Sequence, residues 1–206
     1  MKRLEEIIKY INESDVVADI GCDHGYLLKL AIENKNIKKG YAIDNKKGPL
    51  DTAIKNLKNY NNIVFKLSDG LLSVNEDEIN CVVIAGMGGM LINKIVSDSL
   101  EKFKTIDKII LCPNRNNDIV RKYMTENGFM IVDESIVYED GKYYEVLIFQ
   151  LGAQSLTEKD LYFGPYLLKN KSSIFIDKWT EYYNKIKHIS NKKNEINLIN
   201  EVLYEN

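Results

Sequence analysis

At 206 residues, with 45% hydrophobic and 28% charged residues, the chain has the composition of a globular protein with one large domain and an appendage. Its formal net charge of -2 excludes a global basic field, so any nucleic-acid site must be a local patch. We find neither a signal-peptide pattern nor an apolar run near the roughly 20 residues of a membrane span. We therefore expect a cytoplasmic protein with no membrane partner.

The three cysteines indicate neither disulfides nor a metal site. Cys22, Cys81 and Cys112 lie far apart, each in or beside an apolar stretch that resembles a strand or its end. No CxxC pair or other metal-ligand spacing occurs, and we expect no bound metal.

Short apolar runs alternate with amphipathic stretches from Val16 to about Gln150, a pattern that predicts a parallel sheet covered by helices. Runs such as CVVIA are apolar throughout, as expected for strands buried on both faces. The predicted strands are Val16–Ile20, Gly40–Ile43, Ile63–Leu67, Cys81–Ala85 and Lys108–Cys112.

Two further strands, Phe129–Glu139 and Tyr143–Leu151, flank Asp140-Gly141, which suits a tight hairpin turn. An antiparallel pair that closes a parallel sheet is typical of the Rossmann-like, seven-stranded α/β sheet of class I methyltransferases, more than of a dehydrogenase with a second mononucleotide half. We place this domain at residues 1–152.

Residues 153–206 are predicted to form a helical, coiled-coil-like region, in which the spacing of the apolar residues predicts one long helix with one apolar seam. Either this region packs on the core or on itself, as a helix or helical hairpin, or it forms an RNA-contacting arm. In the second case Lys185, Lys187, Lys192 and Lys193 are candidate phosphate contacts. The seam consists of Phe175, Trp179, Tyr182, Ile186, Ile189, Ile196 and Leu203 at three- and four-residue steps, with Lys193 and Asn200 in the two gaps.

The strongest local signal is the run from Val17 to Leu27, a strand followed by a glycine turn and a helix. Glycines there permit close approach of a ligand to the backbone, and the helix presents free N–H groups. Asp23 stands where a pyrophosphate would need a small neutral residue. S-adenosylmethionine instead carries an ammonium and a sulfonium group, for which Asp19 and Asp23 are candidate partners. The other candidate contacts in this turn are Gly21, His24, Gly25 and Tyr26.

Acidic residues also follow the next two strands. Asp44 ends the second strand, where a carboxylate can accept both ribose hydroxyls. Asp69-Gly70 follows the third strand, where Asp69 could accept from the adenine amino group. The alternatives are a surface cap at Asp44 and a simple Asp-Gly turn at Asp69.

The fourth strand runs into Gly86-Met87-Gly88-Gly89, at the point where donor and acceptor meet in this fold. These glycines would let a base approach the backbone, with Gly86 and Met87 also touching the donor; the alternative is tight helix–strand packing. The Asp/Asn-Pro-Pro-Tyr motif of many exocyclic-amine methyltransferases is absent, which favours a ring nitrogen as the methyl acceptor. Asn114 could read a base edge and Arg115 could contact phosphate, although Pro-Asn also ends strands.

Together these motifs resemble those of the bacterial tRNA (adenine(22)-N1)-methyltransferases. The resemblance rests on the runs Asp19–Leu27, Gly48-Pro49 and Ile84–Gly89, and on the later landmarks Pro113-Asn114, Tyr144-Glu145, Leu156–Lys159 and Gly164-Pro165. Cys22 and Cys112 depart from the Ser and Gln that we expect at these positions.

The resemblance implies an S-adenosyl-L-methionine donor, a tRNA substrate, S-adenosyl-L-homocysteine as the product and a helical C-terminal region. Neutral adenine N1 already has an in-plane lone pair, so its in-line attack needs positioning rather than a base. We predict that Asp23, Met87, Gly88 and Asn114 surround the reacting atoms and that Asp23 stabilises the cationic product. The base must be flipped out.

Rival interpretations are methylation of another RNA base or a small molecule, and a noncatalytic donor-sensing RNA-binding module. We expect a monomer, with weak self-association through the C-terminal helix as the alternative.

Overall fold

The structure, a computed structural model, describes residues 1–75 and 78–204. Its central sheet has seven strands, and the predicted strand bounds are reproduced to within one residue at each end. The strands are Val16–Ile20 (β1), Lys39–Asp44 (β2), Ile63–Leu67 (β3), Cys81–Ala85 (β4), Lys108–Cys112 (β5), Phe129–Glu139 (β6) and Lys142–Leu151 (β7).

The strand order is β3-β2-β1-β4-β5-β7-β6, with β6 and β7 antiparallel to their neighbours. The predicted α/β class and seven-stranded sheet are therefore confirmed. The order reverses between β1 and β4, which creates a crevice at the carboxyl ends of these strands, the usual ligand position in such sheets.

The helices are Lys2–Ile8 (α1), Tyr26–Lys35 (α2), Lys47–Leu57 (α3), Gly89–Asp98 (α4), Leu100–Lys104 (α5), Asn117–Glu126 (α6), Glu158–Phe163 (α7), Pro165–Asn170 (α8), Ser173–Ile186 (α9) and Lys193–Tyr204 (α10).

Helices cover both faces of the sheet, which explains its uninterrupted apolar strands. One face packs on α1, α2 and α3 through fully buried residues such as Leu28 and Ala53. The other packs on α4, α5 and α6 through residues such as Ile92 and Phe103. Each face therefore forms its own apolar layer, and the strand ends remain free to build a site.

The turn between β6 and β7 has positive φ angles at both central residues, 50° at Asp140 and 75° at Gly141. Two successive positive φ angles are the requirement of a type I′ hairpin turn, and Asp-Gly is a favoured sequence for it. The predicted hairpin is confirmed, and its tip reaches the cleft through Gly141.

The prediction of one long C-terminal helix is wrong. Helix α9 ends at Ile186, a short turn occupies Ser190–Lys192, and α10 begins at Lys193. Ser190 and Asn191 offer the backbone side-chain hydrogen bonds that favour turns over helix interiors. Ile189, which the continuous seam would have buried, is 43% exposed.

The observed arrangement is two short helices that pack on each other and on the sheet edge. Phe175, Trp179 and Ile199 join Ile136 of β6 in a third apolar cluster. This matches the helical-hairpin alternative. A division of the chain at residues 152 and 153 stays a prediction.

Candidate active site

A cleft of about 1070 Å³ opens at the carboxyl edge of the parallel strands. Its floor comes from the ends of β1, β2 and β4 and the segments that follow β3 and β5. Its wall comes from α1, the β6–β7 hairpin and α9. Most of the residues predicted to contact the donor line it: Asp19, Gly21, Asp23, His24, Tyr26, Asp44, Asp69, Gly70, Gly86 and Met87. Gly25 does not; it adopts φ +74°, and a Cβ there would lie 2.7 Å from Leu57 Cδ1, so its role is packing.

The turn after β1 is tied to β2 by backbone hydrogen bonds. The N–H groups of Gly21 and Cys22 both donate to the carbonyl of Ile43, at 2.8 and 3.0 Å. Gly21 has φ +76°, and a Cβ there would lie 2.1 Å from Met87 Cε. The turns after β1 and β4 therefore meet here, and the positive φ at position 21 favours a residue without a side chain.

Asp23 and His24 stand at the open mouth of this turn. Their side chains are 67% and 48% exposed, with His24 Nε2 3.7 Å from Asp23 Oδ2. The His24 ring also lies 5.4 Å from that of Tyr26, centroid to centroid. Both groups are accessible to a ligand in the cleft.

Asp19 is the most perturbed acid in the cleft. Burial raises the pKa of this carboxyl to about 7, and the nearby carboxylates of Asp44 and Asp23 add to the rise. Within residues 1–75 and 78–204, no hydrogen bond to the carboxylate offsets that cost. A buried carboxylate in this condition favours a cationic partner, which would restore its charged form.

Asp44 is held in place by the backbone around it. Its Oδ2 accepts from the Asp23 N–H at 3.3 Å and its Oδ1 accepts from the Lys46 N–H at 2.9 Å. Each carboxylate oxygen keeps another lone pair, so a diol in the cleft can still donate to both. Asp69 lies on the adjoining loop, which the Ser68 N–H fastens to the Asp44 carbonyl at 2.9 Å.

The three glycines after β4 have different roles. A Cβ on Gly89 would lie 2.5 Å from the Asn116 carbonyl oxygen, so Gly89 serves the packing of α4 on the neighbouring loop. A Cβ on Gly88 would meet nothing closer than Arg115 Nε at 3.4 Å, and Gly86 adopts φ +80° beside Arg3. The packing alternative thus applies to Gly89, whereas Gly86 and Gly88 leave space.

Asn114 braces this glycine turn. Its Nδ2 donates to the Gly86 carbonyl at 2.6 Å, and its backbone N–H donates to the Met87 carbonyl at 2.8 Å. The amide nitrogen is therefore engaged within the protein, and the Oδ1 oxygen is the atom left for a base edge. Arg115 is exposed next to Gly88.

The tail contributes a wall that the sequence did not indicate. Trp179, Tyr182 and Lys185 of α9 line the cleft. Of the four tail lysines predicted to contact RNA, Lys185 alone lines it. Lys187 donates to Asn184 at 2.9 Å, and Lys192 is paired with Glu195, whereas Lys193 is exposed.

A buried ion network fastens this wall to the sheet. Arg121 of α6 is fully buried and contacts Glu134 at 2.7 Å and Glu145 at 2.6 Å. Lys178 of α9 pairs with the other oxygen of Glu145. Burial raises the pKa of Glu145, but Lys178 and Arg121 outweigh it and lower the pKa overall. Because an unpaired buried charge is costly, this network holds α9 at one position beside the cleft.

The described residues offer neither a metal cluster nor a membrane span. They contain no group of three His, Cys, Asp or Glu side chains placed to hold a metal ion. Nor do they include a helix long and apolar enough to cross a membrane.

Comparisons with known proteins agree with this geometry. The chain is 32% identical over 189 residues to the tRNA (adenine(22)-N(1))-methyltransferase of Bacillus subtilis, covering 87% of this chain and 79% of that one. A Streptococcus pneumoniae protein solved with S-adenosyl-L-methionine has a TM-score of 0.93 and 34% identity, with 99% of both chains covered. Mycoplasma capricolum TrmK, solved with S-adenosyl-homocysteine, has a TM-score of 0.77 and 30% identity, with 98% of this chain and 97% of that one covered. Residues 17–205 match the family TrmK, tRNA (adenine(22)-N(1))-methyltransferase, to which this chain therefore belongs.

Proposed function

We infer that the protein transfers the methyl group of S-adenosyl-L-methionine to N1 of an adenine in tRNA, adenine 22 by membership of its family. The observation that carries this inference is the division of the cleft into two halves. Four carboxylates and a glycine turn line the β1–β3 half, and an open glycine turn braced by Asn114 forms the β4–β5 half.

The β1–β3 half fits the donor. We propose that Asp19 and Asp23 face the methionyl ammonium, that Asp44 accepts from the ribose hydroxyls and that Asp69 accepts from the adenine amino group. The unbonded, buried Asp19 carboxyl supports this assignment, because a cation beside it would remove the unfavourable burial of its charge. When bound, the donor supplies an electrophilic sulfonium methyl group.

The β4–β5 half suits a ring nitrogen. We propose that Gly86 and Gly88 make room for the base and that Asn114 accepts from its amino group through Oδ1. Adenine N1 needs no deprotonation, so these residues act by orienting the base and excluding water. We propose that Asp23, an exposed carboxylate that lines the cleft, stabilises the positive charge that methylation leaves on the base.

We propose that RNA approaches across Arg115, which is exposed beside Gly88, and Lys185, which lines the cleft. The contact of Lys185 with Glu181 is 4.0 Å long and exposed. A target base must leave its stack to reach the glycine turn. We further propose a monomeric enzyme that needs no metal and acts on tRNA in the cytoplasm.

The test is transfer of a labelled methyl group from the donor to unmodified tRNA in the presence of a chelator, followed by nucleoside analysis. We expect 1-methyladenosine as the labelled product. Label in another nucleoside, or donor binding without transfer, would support one of the rival functions.

A further inference from the structure

We propose that Arg3 of α1 is an RNA-positioning residue, which binds a phosphate of the tRNA strand beside the target adenosine. This inference rests on the proposed function and extends it to a helix that no motif in the sequence singles out.

Arg3 lies at the acceptor half of the cleft. Its guanidinium carbon is 4.9 Å from the centroid of the Tyr144 ring on β7, and its Nη1 and Nη2 are 3.9 and 4.0 Å from the Cβ position of Gly86. In the sheet order β4 and β7 lie on the far side of β1 from β2 and β3. Arg3 therefore faces the glycine turn from the side opposite the donor carboxylates.

The guanidinium has no acidic partner. Among the residues of 1–75 and 78–204, no carboxylate oxygen lies within the 4.0 Å of a salt bridge to Arg3, and its buried Nε has no hydrogen-bond partner. By contrast, the fully buried Arg121 is paired with two glutamates, and the partly buried Lys178 is paired with one. A partly buried guanidinium left unpaired beside an open cleft is suited to bind an anion from outside the protein.

The helix that carries Arg3 is firmly seated. Ile7 and Ile8 of α1 are buried in the apolar layer shared with α2 and α3. The aromatic face of Tyr144 supports the guanidinium from one side, and both Nη atoms of its N–H fork lie beside the Gly86 turn. A side chain held in this way loses little entropy on binding, and the fork matches two oxygens of a phosphate.

The charge of the product indicates that Arg3 binds a phosphate and not the adenine base. Methylation makes the adenine cationic, so a guanidinium against N1 would oppose the product. A phosphate of the extruded nucleotide carries the complementary charge. Arg115 lies beside Gly88, as Arg3 lies beside Gly86, so two arginines flank one short turn. We infer that they hold the strand on either side of the flipped base.

The test compares Arg3→Gln with Lys9→Gln, a matched loss of one charge on the same helix from a side chain that is 65% exposed and paired with Glu6. We measure tRNA affinity from low to high salt, methyl-transfer kinetics, and donor-product affinity by calorimetry. Arg3→Gln is expected to weaken tRNA binding about tenfold or more and to reduce the salt slope by about 0.7 to 0.9, the value of one phosphate contact. Lys9→Gln should change the tRNA affinity by less than about twofold and leave the salt slope near that of the wild type. The affinity for S-adenosyl-homocysteine should stay as in the wild type.

A second variant, Arg3→Lys, separates charge from packing. It should recover the salt slope while recovering only part of the affinity, because lysine keeps the charge but loses the fork. Wild-type tRNA affinity and slope in Arg3→Gln would overturn the inference, as would a defect confined to donor binding or to thermal stability. Failure of the wild type itself to methylate tRNA would instead refute the proposed function.

Discussion

Replacing the buried acid of the donor half, Asp19→Asn, should stabilise the free protein and weaken donor binding at the same time. Asp19 has a pKa of about 7 in the folded protein, whereas the ordinary pKa of an aspartic acid side chain is 3.8. The folded state therefore binds more protons than the unfolded state between these values. Consequently, the wild-type protein loses stability as pH rises through this window.

The magnitude follows from the gap between the two pKa values. At about 1.36 kcal/mol per pKa unit, ionising Asp19 in the folded protein costs on the order of 4 kcal/mol at pH 8. The asparagine variant avoids this cost. The difference in unfolding free energy between Asp19→Asn and the wild type should therefore increase by up to about 4 kcal/mol from pH 4 to pH 8. The new buried amide group offsets part of this stabilisation.

Ligand binding should change in the opposite direction. A charge-assisted contact to the ammonium group is worth about 1.5 to 3 kcal/mol, so at pH 8 S-adenosyl-homocysteine should bind Asp19→Asn about 10- to 100-fold more weakly. Wild-type affinity should fall about tenfold from pH 8 to pH 6, as Asp19 takes up its proton, and the variant should lack this dependence.

Thermal unfolding and calorimetry at several pH values provide the assay. Asp51→Asn is the control, because Asp51 is an exposed carboxylate paired with Lys47 on the surface. It should leave both measurements near wild type. A variant at Asp19 that loses stability at pH 8, or one that binds S-adenosyl-homocysteine as wild type does, would refute the reasoning.

Three further predictions concern the two halves and the wall. Asp44→Ala should weaken donor binding by about 1 to 3 kcal/mol, because two ribose hydroxyls lose their acceptor; calorimetry that finds unchanged affinity rules out this role. Gly88→Val should abolish transfer in a folded protein, whereas Gly89→Val should lower the melting temperature, since only the Gly89 Cβ position is blocked by backbone; circular dichroism beside the transfer assay distinguishes them. Lys178→Met should destabilise the chain by about 3 to 5 kcal/mol by leaving Glu145 buried with one partner fewer, and denaturant titration that shows no loss contradicts the anchoring of α9.

The acids and glycines of the donor half could be predicted because their positions follow from local order in the sequence. Asp19, Asp44 and Asp69 each close or follow a strand that the apolar pattern reveals, and parallel strands bring their carboxyl ends to one edge.

The acceptor half was harder to predict because distant elements build it. Arg3 belongs to a Lys-Arg pair that resembles a solvated helix end, and only the packing of α1 against β6 and β7 brings it to Gly86. The chain breaks after Ile186, where α9 ends, but the seven apolar residues of the predicted seam keep their helical spacing across this break. The spacing alone therefore does not reveal where α9 ends.

Because the tail packs on β6, a truncation near Leu151 would expose the apolar cluster around Ile136. A full-length variant of Lys185 is therefore the better probe of RNA contact.

The central claim is methylation of one ring nitrogen at one position in tRNA. The direct measurement compares an unmodified tRNA transcript with a transcript in which adenine 22 is replaced by guanine, using labelled donor and mass spectrometry of the digested product. We predict stoichiometric 1-methyladenosine at position 22 of the first transcript and no transfer to the second. Equal transfer to both transcripts, or a methyl group on an exocyclic amine, would contradict the account.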